Sequence, residues 1–354
     1  MALSALKIGG GVSDREVMFF TAQLSIMLET GTNLTTSLDS IASQCMNPKL
    51  KSTVEAVLTD VVGGKTLSSF MARHPRIFSN VFVSMVRAGE LGGFLTKMLN
   101  RVHEFQKLKQ ELRSKVTTAL AYPIVLAAMS ATVVVFMVTY VLPKLTAVFE
   151  GKEDILPTIT KVVMGVSHGF VTWWPLIIGG AVAAAVAFAA WIRTNGGRAI
   201  FDRFKVSAPL IGPLSRLLYS ARLLRTMGVM LESGIPLLDG VEVTRGTIGN
   251  TEYVRFLDGV ANNVREGKTL SDPFSRSTLF SPILKQMVAT SEVTGSTGVV
   301  MLKMADYFEE EMAVRLKTMT ALLEPAIVVI MGVVVGTIAM ALFLPLFRMS
   351  SAVG

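Results

Sequence analysis

From Val17 to Leu28 the apolar residues Val17, Phe20, Leu24, Met27 and Leu28 recur at the three-and-four spacing of one helix face. Ser13, three residues before Glu16, has the form of a capping box, and Gly31 stands where such a helix stops. A second stripe, Leu50, Val54, Val57, Leu58 and Val61, follows Asn47-Pro48, a capping residue with proline at the first helical position. It runs into Gly63-Gly64. The stretch "RAGELGG" at Arg87–Gly93 marks a break between two further helices. No run alternates long enough to make a strand, so the pattern predicts a bundle of about six helices. The apolar stripes, methionines included, read as bundle core.

The pattern then repeats. "MLETG" at Met27–Gly31 returns as "MLESG" at Met230–Gly234, and "GGKTL" at Gly63–Leu67 returns as "EGKTL" at Glu266–Leu270. One residue is lost in the next loop, after which Phe78-Ser79 meets Phe280-Ser281, Glu90 meets Glu292, and "TALAYP" ending at Pro123 meets "TALLEP" ending at Pro325. Leu142-Pro143 finds Leu344-Pro345. A period of this length is a duplicated domain rather than a solenoid unit. Gly31, Gly64, Gly234 and Gly267 are its turn positions.

Three stretches break the amphipathic rhythm. Ile124–Leu142, Trp173–Ile192 and Ala326–Phe347 carry no charge over nineteen, twenty and twenty-two residues, each enough to cross a bilayer core as a helix. They account for a composition that is 51% hydrophobic and only 17% charged. No secretory signal is expected ahead of them, since Met1–Leu6 is too short for an apolar core of that kind. The chain is therefore expected to be all-α, an integral membrane protein with two homologous cytoplasmic helical-bundle domains and three transmembrane helices. The boundaries expected are a mobile arm at 1–12, a first helical domain at 13–118 and spans at 122–142, 173–192 and 325–347. An external loop falls at 143–172, the second helical domain at 197–318 and an external tail at 348–354. The second span has no counterpart in the repeat. It returns the chain so that both copies share one side, and its run of small residues suits close packing in lipid. Pro123, Pro143, Pro325 and Pro345, with the Gly332–Gly336 pair, are candidate packing positions of the other two.

Charge orients the chain. Arg101, Lys107, Lys109, Arg113 and Lys115 precede the first span, and Arg193, Arg198, Arg203 and Lys205 follow the second. The intervening loop has three lysines offset by Glu150, Glu153 and Asp154. The positive-inside rule places the N-terminus and both bundles in the cytoplasm, the loop and C-terminus outside. Trp173 and Trp174 suit the outer interface and Trp191 the inner one. The net charge of +8 is explained beside the membrane, so no nucleic-acid partner is inferred.

Candidate chemistry is sparse. Gly-Lys-Thr at Gly64–Thr66 and Gly267–Thr269 resembles the end of a P-loop, which needs glycine five positions earlier. Thr59 and Asn262 stand there. The copies read instead as turns, with Thr66 and Thr269 capping the next helices and Thr269–Asp272 forming a capping box. Three histidines and the lone Cys45 make no metal cluster, so no catalytic residue, cofactor or metal is expected. No charge lies within a span, which argues against the competing reading, an oligomeric transporter or channel subunit.

The duplicated "FTAQLSIMLETGTNL" and "LLRTMGVMLESGIPL", the "GKTL" turn, the "GELGG" and "SEVTGS" breaks and the proline-bearing exit helices resemble one family. It comprises the inner-membrane platform proteins of type IV pilus assembly and type II secretion, where the protein is called protein F. The resemblance runs from about Val17 to Phe347. It implies a non-enzymatic protein of the bacterial inner membrane that couples a cytoplasmic hexameric ATPase to insertion of pilin-like subunits. Its implied partners are that ATPase, pilin or pseudopilin transmembrane helices, other inner-membrane assembly components, further copies of itself and the lipid bilayer. Ala22 stands where the family carries a basic residue, which the second copy keeps as Arg225; Ser291 stands where Gly89 stands in the first. Glu90 and Glu292, set where two helices meet, are expected either to stabilise their own helix N-termini or, with Arg225, to meet a partner.

Overall fold

The computed structural model describes residues 11–146, 157–209 and 211–351. Residues 1–10 of the expected arm at 1–12, the centre of the loop at 143–172 and the end of the tail at 348–354 lie outside these residues, while Val12 packs against the first core.

The first copy opens as its caps dictate. Ser13 and Glu16 form a reciprocal capping box at the start of α1 (Asp14–Glu29), with the Ser13 N–H donating to the Glu16 carboxylate at 2.7 Å. That bond, more than those from Asn47 and the Ser13 hydroxyl, holds the Glu16 carboxyl below its usual range against the opposing effect of burial. Side chains of Asn33, Asn47, Thr66 and Ser79 cap α2 (Leu34–Gln44), α3 (Pro48–Val62), α4 (Leu67–Ala72) and α5 (Asn80–Gly92). The sixth helix, α6 (Leu95–Phe136), leaves the bundle without a break. From Leu95 to Ala121 it contains no glycine or proline to end it. A π-helical turn at Met137–Val141 and α7 (Leu142–Thr146) follow. Next come α8 (Thr158–Arg193) and α9 (Asn195–Ser207).

The second copy repeats the set as α10 (Gly212–Glu232), α11 (Leu237–Thr247), α12 (Thr251–Arg265), α13 (Ser271–Arg276), α14 (Pro282–Val293) and α15 (Thr297–Ser351). Among the described residues all regular structure is helical. Two expectations need correction. The stretch 143–172 is helical to Thr146 and again from Thr158, well before Trp173, since no glycine or proline short of Gly165 interrupts the start of α8. The capping box at Thr269–Asp272 does not form. Leu270 holds the cap position of α13, while Asp272 accepts from Asn263 Nδ2 at 3.1 Å and pairs with Arg276 at 2.9 Å.

The chain groups into two compact units, residues 1–114 with 202–312 and residues 115–201 with 313–354. In the first unit each copy has its own core. Phe20, Leu24, Phe78 and Phe82 anchor one; Tyr253, Phe274 and Leu257 anchor the other. Each such side chain contributes roughly 1.5–3 kcal/mol when fully buried. Tyr253 keeps its hydroxyl satisfied by Ser220 at 3.0 Å and the Arg216 carbonyl at 3.1 Å, and burial pushes its pKa up to about 12. The cores solve one shared contact differently. Ser25 bonds Asn100 at 2.8 Å in the first copy. The equivalent Gly228 leaves room for Leu302 in the second, where a Cβ would stand 2.9 Å from the Leu302 Cγ.

In the second unit the apolar residues face outward. Ile124, Val125 and Met129 on α6, Val182 and Val186 on α8, and Val328, Val329 and Val333 on α15 are all exposed. Three helices here are long and apolar enough to cross a membrane. Continuous exposed apolar surface on this scale is unfavourable in water and favourable against lipid tails.

Candidate functional site

The six described glycines with positive φ form three duplicated pairs: Gly31 and Gly234, Gly64 and Gly267, Gly93 and Gly295. Each ends a helix in the same way. At Gly64 its N–H donates to the Val61 carbonyl, and the Lys65 N–H donates to the Asp60 carbonyl; at Gly267 the carbonyls are Val264 and Asn263. This is the Schellman closure, which requires left-handed backbone and so selects glycine. The lysine heads serve the turns too: Lys65 Nζ bonds Asp60 at 2.8 Å and Lys268 Nζ bonds Glu266 at 2.6 Å. The Asp60 carboxyl is held low chiefly by Lys65 and also by Arg73.

Beyond each turn, a glutamate from another helix clasps the next one. The Glu90 carboxylate on α5 accepts from the Leu67 N–H at 2.5 Å and the Ser68 N–H at 3.1 Å. Glu292 on α14 accepts from Leu270 at 2.6 Å and Ser271 at 2.9 Å. Two orphan amides of α4 and of α13 are thereby satisfied by a charged acceptor at the positive end of the helix. The acids are near the ends of α5 and α14, so they do not cap their own helix N-termini. Both oxygens of each are turned to these amides rather than outward to a partner.

Arg225 is also internal. Its side chain is 9% exposed, and Nη2 lies 2.5 Å from Asp306 and 3.1 Å from Glu309 on α15. It ties α10 to α15 by a forked, charge-assisted contact. The first copy has Ala22, Glu104 and Lys107 at these three places, so the whole cluster differs, not the arginine alone.

The membrane prolines create a second duplicated feature. Pro345 has no N–H for the Ala341 carbonyl four residues back, and the Thr160 hydroxyl donates to that carbonyl at 2.8 Å. Pro143 follows the π-helical turn, whose wider register would pair its N–H with the Val138 carbonyl. The Ser167 hydroxyl donates there at 2.6 Å. Thr160 and Ser167 both belong to α8, the helix without a repeat counterpart. It supplies one hydroxyl to each repeated proline, as hydrocarbon requires for freed backbone groups. Sequence reasoning singled out the prolines but not these hydroxyls, because both lie in the stretch 143–172 that the charge pattern reads as a loop. Pro123 and Pro325 lie inside α6 and α15, and just before them the Tyr122 hydroxyl donates to Glu324 at 3.1 Å. Gly332 and Gly336 meet no neighbour within 4 Å of an added Cβ among the described residues.

Among the described residues no group of three His, Cys, Asp or Glu could hold a metal ion. A cleft of about 340 Å³ lies between α11 and α12, with Glu242, Arg245, Asp258 and Arg265 on its walls and Arg245 paired to Asp258 at 2.7 Å.

Two copies of a helical bundle, each with its own apolar exit helix and joined by one unrepeated crossing, define a polytopic membrane scaffold. A family model described as "Type II secretion system (T2SS), protein F" matches residues 20–143 and again 223–345, each match running to or through the Leu-Pro pair. The chain belongs to that family. It is 31% identical over 344 residues to the type IV pilus assembly protein PilC of Myxococcus xanthus, covering 97% of this chain and 82% of that one. With the PilC protein of Thermus thermophilus it shares 32% over 348 residues, 98% and 85% of the two chains. With the type II secretion system protein F of Aeromonas hydrophila it shares 31% over 349 residues, 97% and 88%.

Proposed function

We infer that this chain is an inner-membrane platform protein of a type IV pilus or type II secretion machine. The observation that carries this reading is the bundle-plus-span unit, present twice and aligned over most of the length of relatives named for each of those machines. In this reading the bundles lie in the cytoplasm and take up the motion of a hexameric ATPase. The spans meet pilin-like transmembrane helices, and the protein itself catalyses no reaction. The exit helices α6 and α15 support it, since each continues as one helix from bundle residues into an apolar span. The charged cleft between α11 and α12 offers alternating charge of the kind that fixes docking register. Glu90 and Glu292 serve a partner face indirectly, by holding the loops before α4 and α13 in place.

Deleting the gene is expected to abolish surface fibres or secretion and to leave pilin-like subunits stranded in the inner membrane. Normal assembly and secretion in the deletion strain would sink the platform reading. Orientation is checked separately. With Cys45 replaced by serine, cysteines introduced at the exposed Ser69 and Ser275 should resist an impermeant thiol reagent in intact cells, whereas Gly151→Cys should react. Labelling in the reverse pattern overturns the orientation.

A further inference from the structure

The two bundles pack on each other in the first unit, and they do so head to tail. Helix α5 of the first copy lies against α10 and α11 of the second. Met230 and Ile235 of the second copy, flanked by Val229 and Val243, join the hydrophobic core of the first. The Arg101 guanidinium donates to the Ser233 hydroxyl at 3.3 Å, and a Cβ on Gly246 would stand 3.2 Å from Asn80 Nδ2. The second copy's core, by contrast, includes no first-copy residue among those described.

Such a contact uses two different faces, and duplication means each copy owns both. The face used by α5 recurs on α14. Val81 and Met85 are 1% and 0% exposed, whereas their equivalents Ile283 and Met287 are 58% and 46% exposed. Neighbours that face each copy's own core, Phe82 and Leu284 or Val86 and Val288, are buried in both. The difference is therefore the covering bundle, not the helix. Ile283 and Met287, at i and i+4, remain an uncovered apolar stripe. The complementary face recurs in part on the first copy, where Ile26 and Met27 stand for Val229 and Met230 and Ile26 is 59% exposed, while polar Thr32 and Ser40 stand for Ile235 and Val243.

We propose that these two uncovered faces bind each other between chains: α14 of one molecule docks on α1 and α2 of the next, repeating the contact made within the chain. A heterologous contact of this kind closes into a ring or continues as an open series. The occupant of the α14 stripe is thus a second copy of this protein.

The test uses the full-length protein in membranes, with Cys45→Ser as background. Asn80 and Gly246 meet within the chain, and their equivalents are Pro282 and Ser43, both exposed. Oxidation of a variant carrying Ser43→Cys and Pro282→Cys should give a ladder of covalent multimers. Each single-cysteine variant should stay monomeric, and the Asn80→Cys, Gly246→Cys control should bridge without changing chain number. Independently, Ile283→Asp with Met287→Asp should reduce the purified protein to the mass of one chain while its thermal transition persists. Absence of a ladder while the internal control bridges overturns the proposal, as does a Pro282→Cys variant that dimerises alone through a symmetric contact. Unchanged assembly mass in the double aspartate variant overturns it equally.

Discussion

Replacing Arg225 by methionine is expected to cost about 3 kcal/mol of stability, near the lower end of what breaking a buried ion pair costs. Methionine fills much of the volume, so the loss is electrostatic rather than a cavity. Glu309, only 17% exposed, would lose its 3.1 Å contact with the Arg225 guanidinium. Asp306 is 65% exposed and is screened by water, so its share is small. For a unit of this size the loss corresponds to a fall in the thermal midpoint of roughly 6–12 °C. The first copy indicates how to restore it. There, alanine at the arginine position accompanies Glu104 and Lys107, so the position of Glu309 holds a cation instead. Combining Arg225→Ala with Asp306→Glu and Glu309→Lys should recover much of the midpoint lost in Arg225→Met. Thermal unfolding of the detergent-solubilised protein checks both, and a methionine variant melting with the parent would refute the assignment.

Much of this arrangement could be read from residue order because its determinants are local. The capping box at Ser13–Glu16, the Asn47-Pro48 start and the glycine turns act within four or five residues of themselves, and each forms as the pattern predicts. The duplication was equally legible, since equal spacing of short motifs needs no knowledge of contacts. The failures are contacts across the chain. Glu90 sits twenty-three residues from Leu67, and nothing in the periodicity of α5 says that its carboxylate reaches back to another helix. The capping box foreseen at Thr269 does not form, because the Asp272 side chain turns to Asn263 and Arg276 instead of back to Thr269. Arg225 read as a conspicuous charge and proved internal because its partners lie more than eighty positions away.

The proline hydroxyls follow the same rule with a further constraint. In water an orphaned carbonyl is solvated at little cost, so a proline in an exposed helix implies no partner. Within a span the carbonyl has no water, and the proline implies a donor somewhere on a neighbouring helix. Thr160 and Ser167 answer that demand from one helix, which gives the unrepeated crossing a task beyond returning the chain. The repeated Leu-Pro pairs and the single α8 thus belong to one arrangement.

The duplicated clasp supports an experiment with its own internal control. Glu292→Ala removes a charged acceptor from the Leu270 and Ser271 amides and leaves both at the start of a half-buried helix without a side-chain acceptor. Bonds to charged groups are worth about 1.5–3 kcal/mol each but are not additive here, because water enters once the first is lost. A net local loss of roughly 2–3 kcal/mol is expected, which corresponds to amide exchange at Leu270 and Ser271 about 30- to 160-fold faster. Leu67 and Ser68, held by Glu90 in the same molecule, should exchange at the parent rate. Glu292→Gln keeps one acceptor oxygen and loses the charge, so it should fall between parent and alanine variant. Glu90→Ala should mirror the pattern, loosening Leu67 and Ser68 and sparing the second copy. If instead Glu292→Ala left the exchange of Leu270 and Ser271 unchanged, the acid would be no clasp, and its duplication would need a cause on the outer surface of the bundle.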